Sequence, residues 1–426
     1  MFQRSLTRFR WKSLIQPWQN IDLWLLLLPI ALTVLGGVMI RSVEINQAGA
    51  NWAAQHFITG AIGLAIALLI ARSRYEMLLQ WHWLFYGATI CLLLAVKFFG
   101  TEGLGAQRWI TILGFNLQPS EFAKLGAIIT MAAMLSTRPA STIPAALRAL
   151  AVTAVPWILV FLEPNLGTSL VFGAITMGML YWGNANPGWL VLVLSPLISA
   201  ILFNLNTIVP VWIILPLWVL WIGVIGVVAW RSLPWYKVGT LGAVVVNLVS
   251  GGLGHLLWGL LKDYQKQRLI IFLNPDQDPL GGGYHLIQSR IGIGAGGLWG
   301  RGLHQGTQTQ LNFIPEQHTD FIFAAIGEEL GFVGGFLVLV AFWLICLRLV
   351  IIAQNAKDDF GSLIAIGVFS MIVFQVSVNI GMTIGLSPVT GIPLPFLSYG
   401  KSSLVMNLMA IGVVESVANF RQRLKF

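Results

Sequence analysis

The sequence predicts an all-α membrane protein, a polytopic helical bundle with about 12 transmembrane helices. Only 10% of its 426 residues are charged, whereas soluble domains carry about 25%. Hydrophobic residues make up 57% of the chain, and the mean hydropathy is +0.79. Apolar runs of about 20 residues, the length that crosses a bilayer as a helix, recur between short polar breaks. These observations exclude a soluble globular domain.

Twelve runs are long and apolar enough to be predicted as spans. Several are short, so we expect tilted or partial spans among them. No internal repeat or low-complexity linker divides the chain, so we treat 21–420 as one membrane domain, between an N-terminal segment 1–20 and a tail 421–426. The predicted spans lie near residues 22–40, 55–71, 81–99, 121–135, 146–162, 167–182, 188–204, 208–229, 237–261, 320–347, 361–383 and 401–419.

Basic residues lie mainly on one side of this predicted topology. Among the short loops of the opposite side, only Arg41 and Arg108 stand clear of the span ends. The positive-inside rule therefore predicts that both termini are cytoplasmic. The longest polar stretch, 262–319, is then extracytoplasmic. The inner segments hold 15 of the 25 basic residues, namely Arg4, Arg8, Arg10, Lys12, Arg72, Arg74, Arg138, Arg148, Arg231, Lys237, Arg348, Lys357, Arg421, Arg423 and Lys425.

Net charge and cysteine content exclude two other classes of function. The formal net charge is +9. Basic cytoplasmic loops of a membrane protein account for such a charge, so we expect no nucleic-acid partner. Cys91 and Cys346 both lie inside apolar runs. They are predicted to be core thiols, without a disulfide framework or a metal motif.

Ionisable residues gather at four places on the predicted outer side. In the first, 105–126, Ser120 is a predicted N-cap and Glu121 suits the first helical turn. Lys124 opposes the helix dipole there and needs an anionic partner. Lys124 forms either a local pair with Glu121 or, together with Arg108, a site for phosphate groups.

The second place is the stretch FLEPNLGTSL, where Glu163 lies at a boundary between two spans.

The third place is the long outer loop, which contains Arg268 and the glycine-rich run IGIGAGGLWGRG. That run resembles a phosphate-cradling loop, but no strand–turn–helix context supports this interpretation. We favour a half-buried amphipathic segment lying in the membrane interface. The fourth place, 379–403, contains Pro388, Pro393 and Pro395. It is either a structural re-entrant connector or a lining of a watery cavity, and Lys401 opens the last span.

The stretch NFIPEQHTDFIF sets Glu316, His318 and Asp320 just before a long apolar run. Asp320 is either a helix cap or a functional acid. His318 is more typical of a loop hydrogen-bonder than of a base. The same helix is predicted to bury two further acids, about 12 Å further along at 1.5 Å per residue, and intramembrane carboxylates point to function. Small residues spaced four apart predict close helix packing and a polar cleft. The acids are Glu328 and Glu329, and the small residues are Gly327, Gly331 and Gly335.

Anionic and cationic groups beside apolar grooves at the outer face suit a lipid-linked pyrophosphate substrate. Basic side chains bind the leaving pyrophosphate, and a carboxylate deprotonates an attacking hydroxyl. The same ingredients are compatible with a transporter.

At these motifs the chain resembles the SEDS family. The matching stretches are GAQRWI, QPSEFAKL, DYQKQRLIIFLNPDQDPLGGGYHLIQS, GTQTQLNFIPEQHTDFIFAAIGEELG and PLPFLSYGKSS. They span most of residues 105–412. The versions DPLGGGYH and GLHQGTQTQLNF look like the rod-shape branch, RodA, more than the division branch, FtsW.

The resemblance implies a peptidoglycan glycosyltransferase that polymerises lipid II during cell elongation and cell-shape maintenance. Asp320 matches the family's essential outer-loop aspartate, the base that activates the 4-hydroxyl of the acceptor N-acetylglucosamine. Arg108 and Lys124, with Glu121 and Lys401, are implied at the pyrophosphate. Supporting roles are implied for Glu163, Glu316, His318, Glu328, Glu329 and Arg268.

The resemblance also implies a cellular setting and partners. The chain is expected in the bacterial plasma (inner) membrane, beside a class B penicillin-binding protein that supplies transpeptidation. Other elongation-complex membrane proteins, the nascent glycan strand and a divalent cation, Mg²⁺ or Mn²⁺, complete the expected set. Two alternatives stay open besides the division-type enzyme: a flippase for the lipid-linked precursor, and a scaffold that only activates the penicillin-binding protein.

Two departures from the family pattern stand out. The family commonly reads QPDLGT where this chain has EPNLGT, so the carboxylate has moved from the position of Asn165 to Glu163. The family usually has ten spans, and the stretch 205–261 looks like an extra pair. An even insertion preserves the sidedness of the catalytic loop.

Overall fold

The computed structural model describes residues 21–47, 49–103, 106–112, 115–163, 165–205, 210–260, 266, 271–272, 278 and 283–421. In chain order the elements are α1 (Leu23–Glu44), α2 (Trp52–Arg72), α3 (Glu76–Phe99), β1 (Thr101–Gly103), β2 (Ala106–Ile112), β3 (Phe115–Leu117), α4 (Pro119–Thr137), α5 (Ile143–Leu162), α6 (Leu166–Trp182), α7 (Pro187–Asn204), α8 (Val211–Ser232), α9 (Tyr236–Leu260), α10 (Tyr284–Gly296), α11 (Thr307–Gln310), α12 (Ile322–Gln354), α13 (Asp359–Ile384) and α14 (Lys401–Asn419).

Each of the twelve predicted spans coincides with a long helix. Within the described residues, ten helices are long and apolar enough to cross a membrane. The other two are α4, which carries Glu121 and Lys124 in its first turns, and α6, which has 17 residues. The prediction of an all-α polytopic membrane protein is confirmed.

A small antiparallel sheet between α3 and α4 is an element that hydropathy did not predict. Its strand order is β1-β2-β3, with Ile110 opposite Leu117 in the second pair. β-Branched and aromatic residues in β2 favour a strand, but the segment is far too short for a span. The side chain of Ser402 on α14 accepts from Gln118 N at 2.9 Å and donates to Asn116 O at 3.0 Å. These bonds fix the sheet over the start of α14.

The centre of the bundle is formed by α13 and α14. In their most apolar 18-residue stretches, 67% and 94% of the residues are buried. α14 packs most extensively against α2. A Cβ atom on Gly412 would lie 2.6 Å from the main chain of Ala67, and one on Gly63 would lie 2.8 Å from Leu408. Small residues at these points let the helices approach closely.

An ion cluster joins the two ends of the chain. Asp22, at the start of α1, donates its main-chain N–H to Glu415 Oε2 near the end of α14, at 3.0 Å. Arg348 Nε lies 3.1 and 3.0 Å from the two carboxylate oxygens of Asp22. The start of the first helix and the end of the last therefore lie at the same end of the bundle, opposite Lys401.

The predicted extra pair corresponds to α8 and α9, which pack with α7 as a three-helix unit. Trp218 Nε1 donates to Ser199 Oγ at 2.8 Å, and Asn247 Nδ2 donates to Ser195 Oγ at 2.9 Å. Within the described residues, the main contact of this unit with the rest of the bundle is between α6 and α7. The pair is thus attached at the periphery and leaves the centre unchanged.

The span predicted near 320–347 is not one continuous helix, because α12 breaks at Gly331. This residue has φ 68° and ψ −166°, and a Cβ there would lie 2.2 Å from Gly300 N. The loop 297–302 runs alongside the break and replaces the lost intrahelical bonds: Phe332 N donates to Gly297 O at 2.9 Å. The part from 332 to 354 is about 34 Å long at 1.5 Å per residue and spans alone. Residues 322–330 form a separate short segment.

Candidate active site

The centre of the candidate site is Asp320, in the turn that precedes α12. Asn379 Nδ2, fully buried on α13, donates to the main-chain oxygen of Asp320 at 2.9 Å and to Ile392 O at 2.7 Å. One amide therefore ties the turn of Asp320 to the irregular loop 385–400. Asp320 itself is half-buried. Its main chain is therefore held in place, while part of the residue remains accessible.

The side chain of Asp320 faces the main chain of that irregular loop. Gly391 has φ +74°, and a Cβ atom there would lie 3.3 Å from Asp320 Oδ2. On the other side of the loop, a Cβ on Gly167 would lie 2.7 Å from Thr390 O. The start of α6 and the turn of Asp320 thus converge on residues 390–392.

His318 belongs to an aromatic cluster beside Asp320. Its ring stacks on Trp52, with centroids 3.8 Å apart and planes at 3°, and Tyr399 completes the cluster with its centroid 5.8 Å from His318. The main-chain oxygen of His318 accepts from Tyr399 N at 2.9 Å. Burial lowers the pKa of His318, and the charge of Glu316 acts in the opposite direction. His318 bonds through its main chain and packs its ring, which favours a positioning role over that of a base.

Glu316 holds the turn that leads to Asp320. It has φ 50°, and its Oε2 accepts from Thr319 Oγ1 at 3.1 Å, while its main-chain oxygen accepts from Thr319 N at 3.1 Å. The side chain is exposed. Its described contacts are therefore local.

Glu328 contacts α11 and Glu329 contacts α1. These contacts do not form the polar cleft that the sequence predicts. Glu328 accepts from Gln308 N and Thr309 N, both at 2.8 Å, and from Thr309 Oγ1 at 2.6 Å. Glu329 Oε1 accepts from Ser42 Oγ at 2.6 Å. The break at Gly331 explains the difference, because it turns this short segment toward the loop that precedes it.

The glycine-rich run packs against α12, where its glycines allow main chain to touch main chain. A Cβ on Gly296 would lie 1.9 Å from Gly327 O, and one on Gly300 would lie 2.1 Å from Glu329 O. The first half of the run, residues 291–296, is the end of α10, which buries Leu286, Ser289, Gly292 and Gly296. The run is partly buried against α12, while its amphipathic character and its place in the membrane interface stay a prediction. These close contacts explain the glycines without a phosphate.

Glu121 and Lys124 form the local pair that the sequence left open. Nζ of Lys124 lies 2.9 Å from each carboxylate oxygen of Glu121, and both residues are buried. Direct binding of phosphate by Lys124 requires Nζ to leave Glu121. The predicted cap at Ser120 is wrong: the helix begins at Pro119 with Gln118 as N-cap, because proline fits the first helical position.

Arg108 and Glu163 meet across the sheet and the α5–α6 turn. Arg108 Nε donates to the main-chain oxygen of Glu163 at 3.3 Å. Burial raises the pKa of Glu163 to about 8, while the charge of Arg108 lowers it. Oε1 of Glu163 is buried without a hydrogen-bond partner among the described residues. Burial therefore favours the protonated form of this carboxyl.

Lys401 is the first residue of α14, and it is half-buried. Its Nζ makes no hydrogen bond or ion pair in the part of the chain that the structure describes. Gly400, the N-cap, offers no side chain to the first turn, so the positive end of the helix dipole adds to the lysine charge. Arg268, the other predicted cation, lies outside the described residues.

Comparison with known proteins decides the family. The family described as cell cycle protein, that of FtsW, RodA and SpoVE, matches residues 21–216 and 204–423. The chain belongs to the SEDS family. The two matched stretches meet where the predicted extra pair begins.

Relatives of this SEDS protein match nearly end to end. It is 35% identical to the peptidoglycan glycosyltransferase MrdB of Escherichia coli K12, over 95% of each chain. It is 34% identical to the peptidoglycan glycosyltransferase RodA of Treponema pallidum, over 95% of this chain and 98% of that one. A probable peptidoglycan glycosyltransferase FtsW of Trichlorobacter lovleyi is 32% identical over 93% of each chain. Both branches of the family therefore match.

Solved structures share the fold. A chain from a peptidoglycan synthase complex that coordinates polymerization and crosslinking has a TM-score of 0.70 and 29% identity, covering 95% of this chain and 100% of that one. The rod shape determining protein RodA of Thermus thermophilus has a TM-score of 0.61 and 24% identity, covering 95% and 99%. The second likeness concerns the fold alone.

Asn165, where the resemblance leads us to expect an aspartate, has a clear structural use. Asn165 is the N-cap of α6, and its Oδ1 accepts from Thr168 N at 3.3 Å. Asparagine and aspartate cap helices about equally well. The cap is therefore kept, and the carboxyl group lies two residues earlier, beside Arg108.

Sequence reasoning missed the residues that hold Asp320 in place. Asn379 opens the proline-containing stretch 379–403, and a polar side chain inside an apolar run is the signal that points to it. Gly391 and Trp52 gave no such signal, because glycine is common in irregular loops and tryptophan is common at span ends.

Proposed function

We propose that this SEDS protein is a peptidoglycan glycosyltransferase of the RodA type, which polymerises lipid II during elongation and maintains cell shape. The names of its relatives support the activity. The observation that carries the proposal is the placement of Asp320, a half-buried carboxylate whose main chain is held by the buried amide of Asn379. A general base needs this combination of access and fixed position.

In the proposed reaction, Asp320 accepts the proton of the 4-hydroxyl of the acceptor N-acetylglucosamine. That oxygen attacks the anomeric carbon of the undecaprenyl-pyrophosphate-linked chain. The bond from this carbon to the phosphate oxygen breaks, and the pyrophosphate leaves with the electron pair. Arg108 and Lys401 stabilise its charge, and Lys124 does so only if it exchanges Glu121 for phosphate.

A divalent cation would depend on the substrate for its ligands. No group of three or more His, Cys, Asp or Glu side chains is arranged to hold a metal within the described residues. Mg²⁺ commonly takes one or two carboxylates and completes its shell with phosphates and water. Asp320 is the carboxylate that we propose beside the pyrophosphate, and no step of the proposal requires the metal.

The proposed setting is the bacterial inner membrane, with both termini cytoplasmic and Asp320 extracytoplasmic. The contact between Asp22 and Glu415 supports placing both termini on one side, and the charge bias supports the inner side. A class B penicillin-binding protein and elongation-complex membrane proteins are the proposed partners. A structural relative from a synthase complex that coordinates polymerization and crosslinking supports such a partnership.

The second candidate function is that of the division-type polymerase, because an FtsW relative is 32% identical. Depletion in cells separates the two roles. Rounded cells indicate the elongation role, and filaments indicate the division role.

The decisive experiment gives lipid II to the purified protein in detergent. We expect glycan chains from the wild type and none from Asp320→Asn, with unchanged thermal unfolding. Asp359→Asn is the matched control, since it makes the same chemical change at an exposed carboxylate in the first turn of α13, away from the candidate site. Polymer from Asp320→Asn contradicts the role of Asp320. Lipid transport across vesicles without polymer from the wild type favours the flippase, and polymer formed only when a penicillin-binding protein is added favours the scaffold.

A further inference from the structure

A cavity of about 290 Å³ lies at the end of the bundle opposite Asp320, between the end of α4 and the start of α5. It is lined by Met134, Leu135, Thr137, Arg138, Ala145 and Arg148. α4 begins beside the sheet that covers the start of α14, so its last turn lies at the other end of the bundle. The cavity is therefore distant from the proposed active site and has no part in the chemistry proposed there.

The two arginines of this cavity have no acidic partner among the residues that the structure describes. Both guanidinium groups are exposed, and neither makes a hydrogen bond or ion pair in the part of the chain that the structure describes. From Phe122 to Leu162 the sequence contains no Asp or Glu. Two arginines that converge on one cavity repel each other unless an anion lies between them.

An apolar stripe leads from the cavity along α5. Leu147 is 58% exposed, and Val155, Ile158 and Leu162 continue the same helical face toward the other end. The intervals of eight, three and four residues keep these side chains on one side of the helix. On a membrane-spanning helix such a face lies against acyl chains. The protein therefore offers cationic side chains for a lipid headgroup next to an apolar surface for its acyl chains.

We propose that Arg138 and Arg148 bind the phosphate of an anionic phospholipid in the leaflet at this end of the bundle. Planar guanidinium groups match phosphate oxygens in bidentate geometry. Basic pockets between membrane helices favour anionic headgroups. The acyl chains follow the stripe that begins at Leu147. The lipid holds the α4–α5 turn, and α4 carries Glu121 and Lys124 at its far end.

The test measures lipid retention by native mass spectrometry after purification in equal amounts of phosphatidylglycerol and phosphatidylcholine. We expect the wild type to retain phosphatidylglycerol preferentially. The pair Arg138→Gln and Arg148→Gln should weaken retention roughly 30-fold, since each basic residue near an anionic lipid contributes a factor of about five. The pair Arg72→Gln and Arg231→Gln is the matched control, because it removes the same charge from exposed arginines outside the cavity.

Three outcomes overturn the proposal. Equal loss of phosphatidylglycerol retention in the control pair shows that the lipid is attracted by the total charge of the protein and not by a specific site. Equal retention of both lipids by the wild type removes the anion preference. Release of the lipid by millimolar inorganic phosphate shows an ion site without use of the apolar stripe. If the double variant does not fold, Arg148→Gln alone is measured, with Arg231→Gln as its control. Lipid retention does not depend on polymerisation, so the result stands whether or not the proposed activity holds.

Discussion

Gly391 faces the carboxylate of Asp320 so closely that a single added carbon would touch it. The distance from an ideal Cβ on Gly391 to Asp320 Oδ2 is 3.3 Å, and the glycine has φ +74°. Both facts restrict this position to glycine, because side chains strain the left-handed region. The candidate base is therefore positioned by the loop opposite it as well as by its own turn.

The first prediction is that Gly391→Ala lowers polymerisation of lipid II more than it lowers stability. The positive φ costs about 1–2 kcal/mol for any residue with a Cβ. The methyl group additionally displaces the carboxylate by a few tenths of an ångström. Because misplacing a catalytic group by about 1 Å costs about 100-fold in rate, we expect a smaller loss here, roughly several-fold. Initial rates with lipid II, together with thermal unfolding in detergent, measure the two effects.

Gly49→Ala is the control for this prediction. Gly49 has φ +80° and nothing within 4 Å of its Cβ position, so it carries the backbone penalty without the contact. Similar rates for the two variants would show that the contact with Asp320 has no catalytic importance.

The second prediction concerns Asn379, the residue that ties Asp320 to the loop. Asn379→Leu leaves the main-chain oxygens of Asp320 and Ile392 without their donor, and a buried unsatisfied group costs about 1–3 kcal/mol. We expect lower thermal stability and a lower polymerisation rate. Asn379→Asp, which keeps the size of the side chain but removes its amide donors, should show the same loss.

Gln375→Leu is the matched control, one turn away on the same helix. Its amide is fully buried and makes no hydrogen bond with any described residue. Replacing such a group by an apolar one of similar shape is close to neutral or stabilising. Equal losses in Asn379→Leu and Gln375→Leu would mean that the bonds to the Asp320 turn contribute nothing specific.

These residues show which parts of the fold and of the candidate site can be predicted from the sequence. The long helices are predictable because a bilayer span requires about 20 apolar residues, and Asp320 stands out because a carboxylate beside such a run is unusual. Asn379 contacts Asp320 from 59 positions away along the chain, and hydropathy carries no information about such a pairing. The break at Gly331 is equally hidden, since a glycine in an apolar run allows both close packing and a break. The loop 297–302 decides between them.

The third prediction is a pH dependence of stability that originates at Glu163. Burial raises its pKa from 4.5 to about 8, so the folded state holds the proton more tightly than the unfolded state. The resulting stability is fully present below pH 4.5 and is lost as the pH rises through about 8. We expect the unfolding temperature to fall over this window in the wild type. The fall should be smaller in Glu163→Gln, which stays neutral throughout.

The comparison with Asn165→Asp separates titration of Glu163 from a general effect of the α5–α6 turn. An aspartate there keeps the cap of α6 and leaves Glu163 in place, so the decline with pH should persist. The same decline in Glu163→Gln as in the wild type would assign it to other groups.

The fourth prediction separates the structural and catalytic roles of Lys124. Lys124→Met leaves the buried carboxylate of Glu121 uncompensated, and breaking a buried ion pair costs about 3–5 kcal/mol. The double variant Glu121→Gln with Lys124→Met removes both charges, and we expect it to recover most of that stability. Thermal unfolding of the two variants in the same detergent measures the difference.

Polymerisation by the stable double variant then decides the role of the lysine. If Lys124 serves only as the partner of Glu121, the double variant polymerises lipid II at nearly the wild-type rate, and we expect this because Nζ is buried and lies 2.9 Å from both carboxylate oxygens. Lys401→Met provides the contrast, since its charge has no partner among the described residues and is proposed to face the pyrophosphate. An inactive double variant with restored stability would contradict the structural role and place Lys124 at the phosphate.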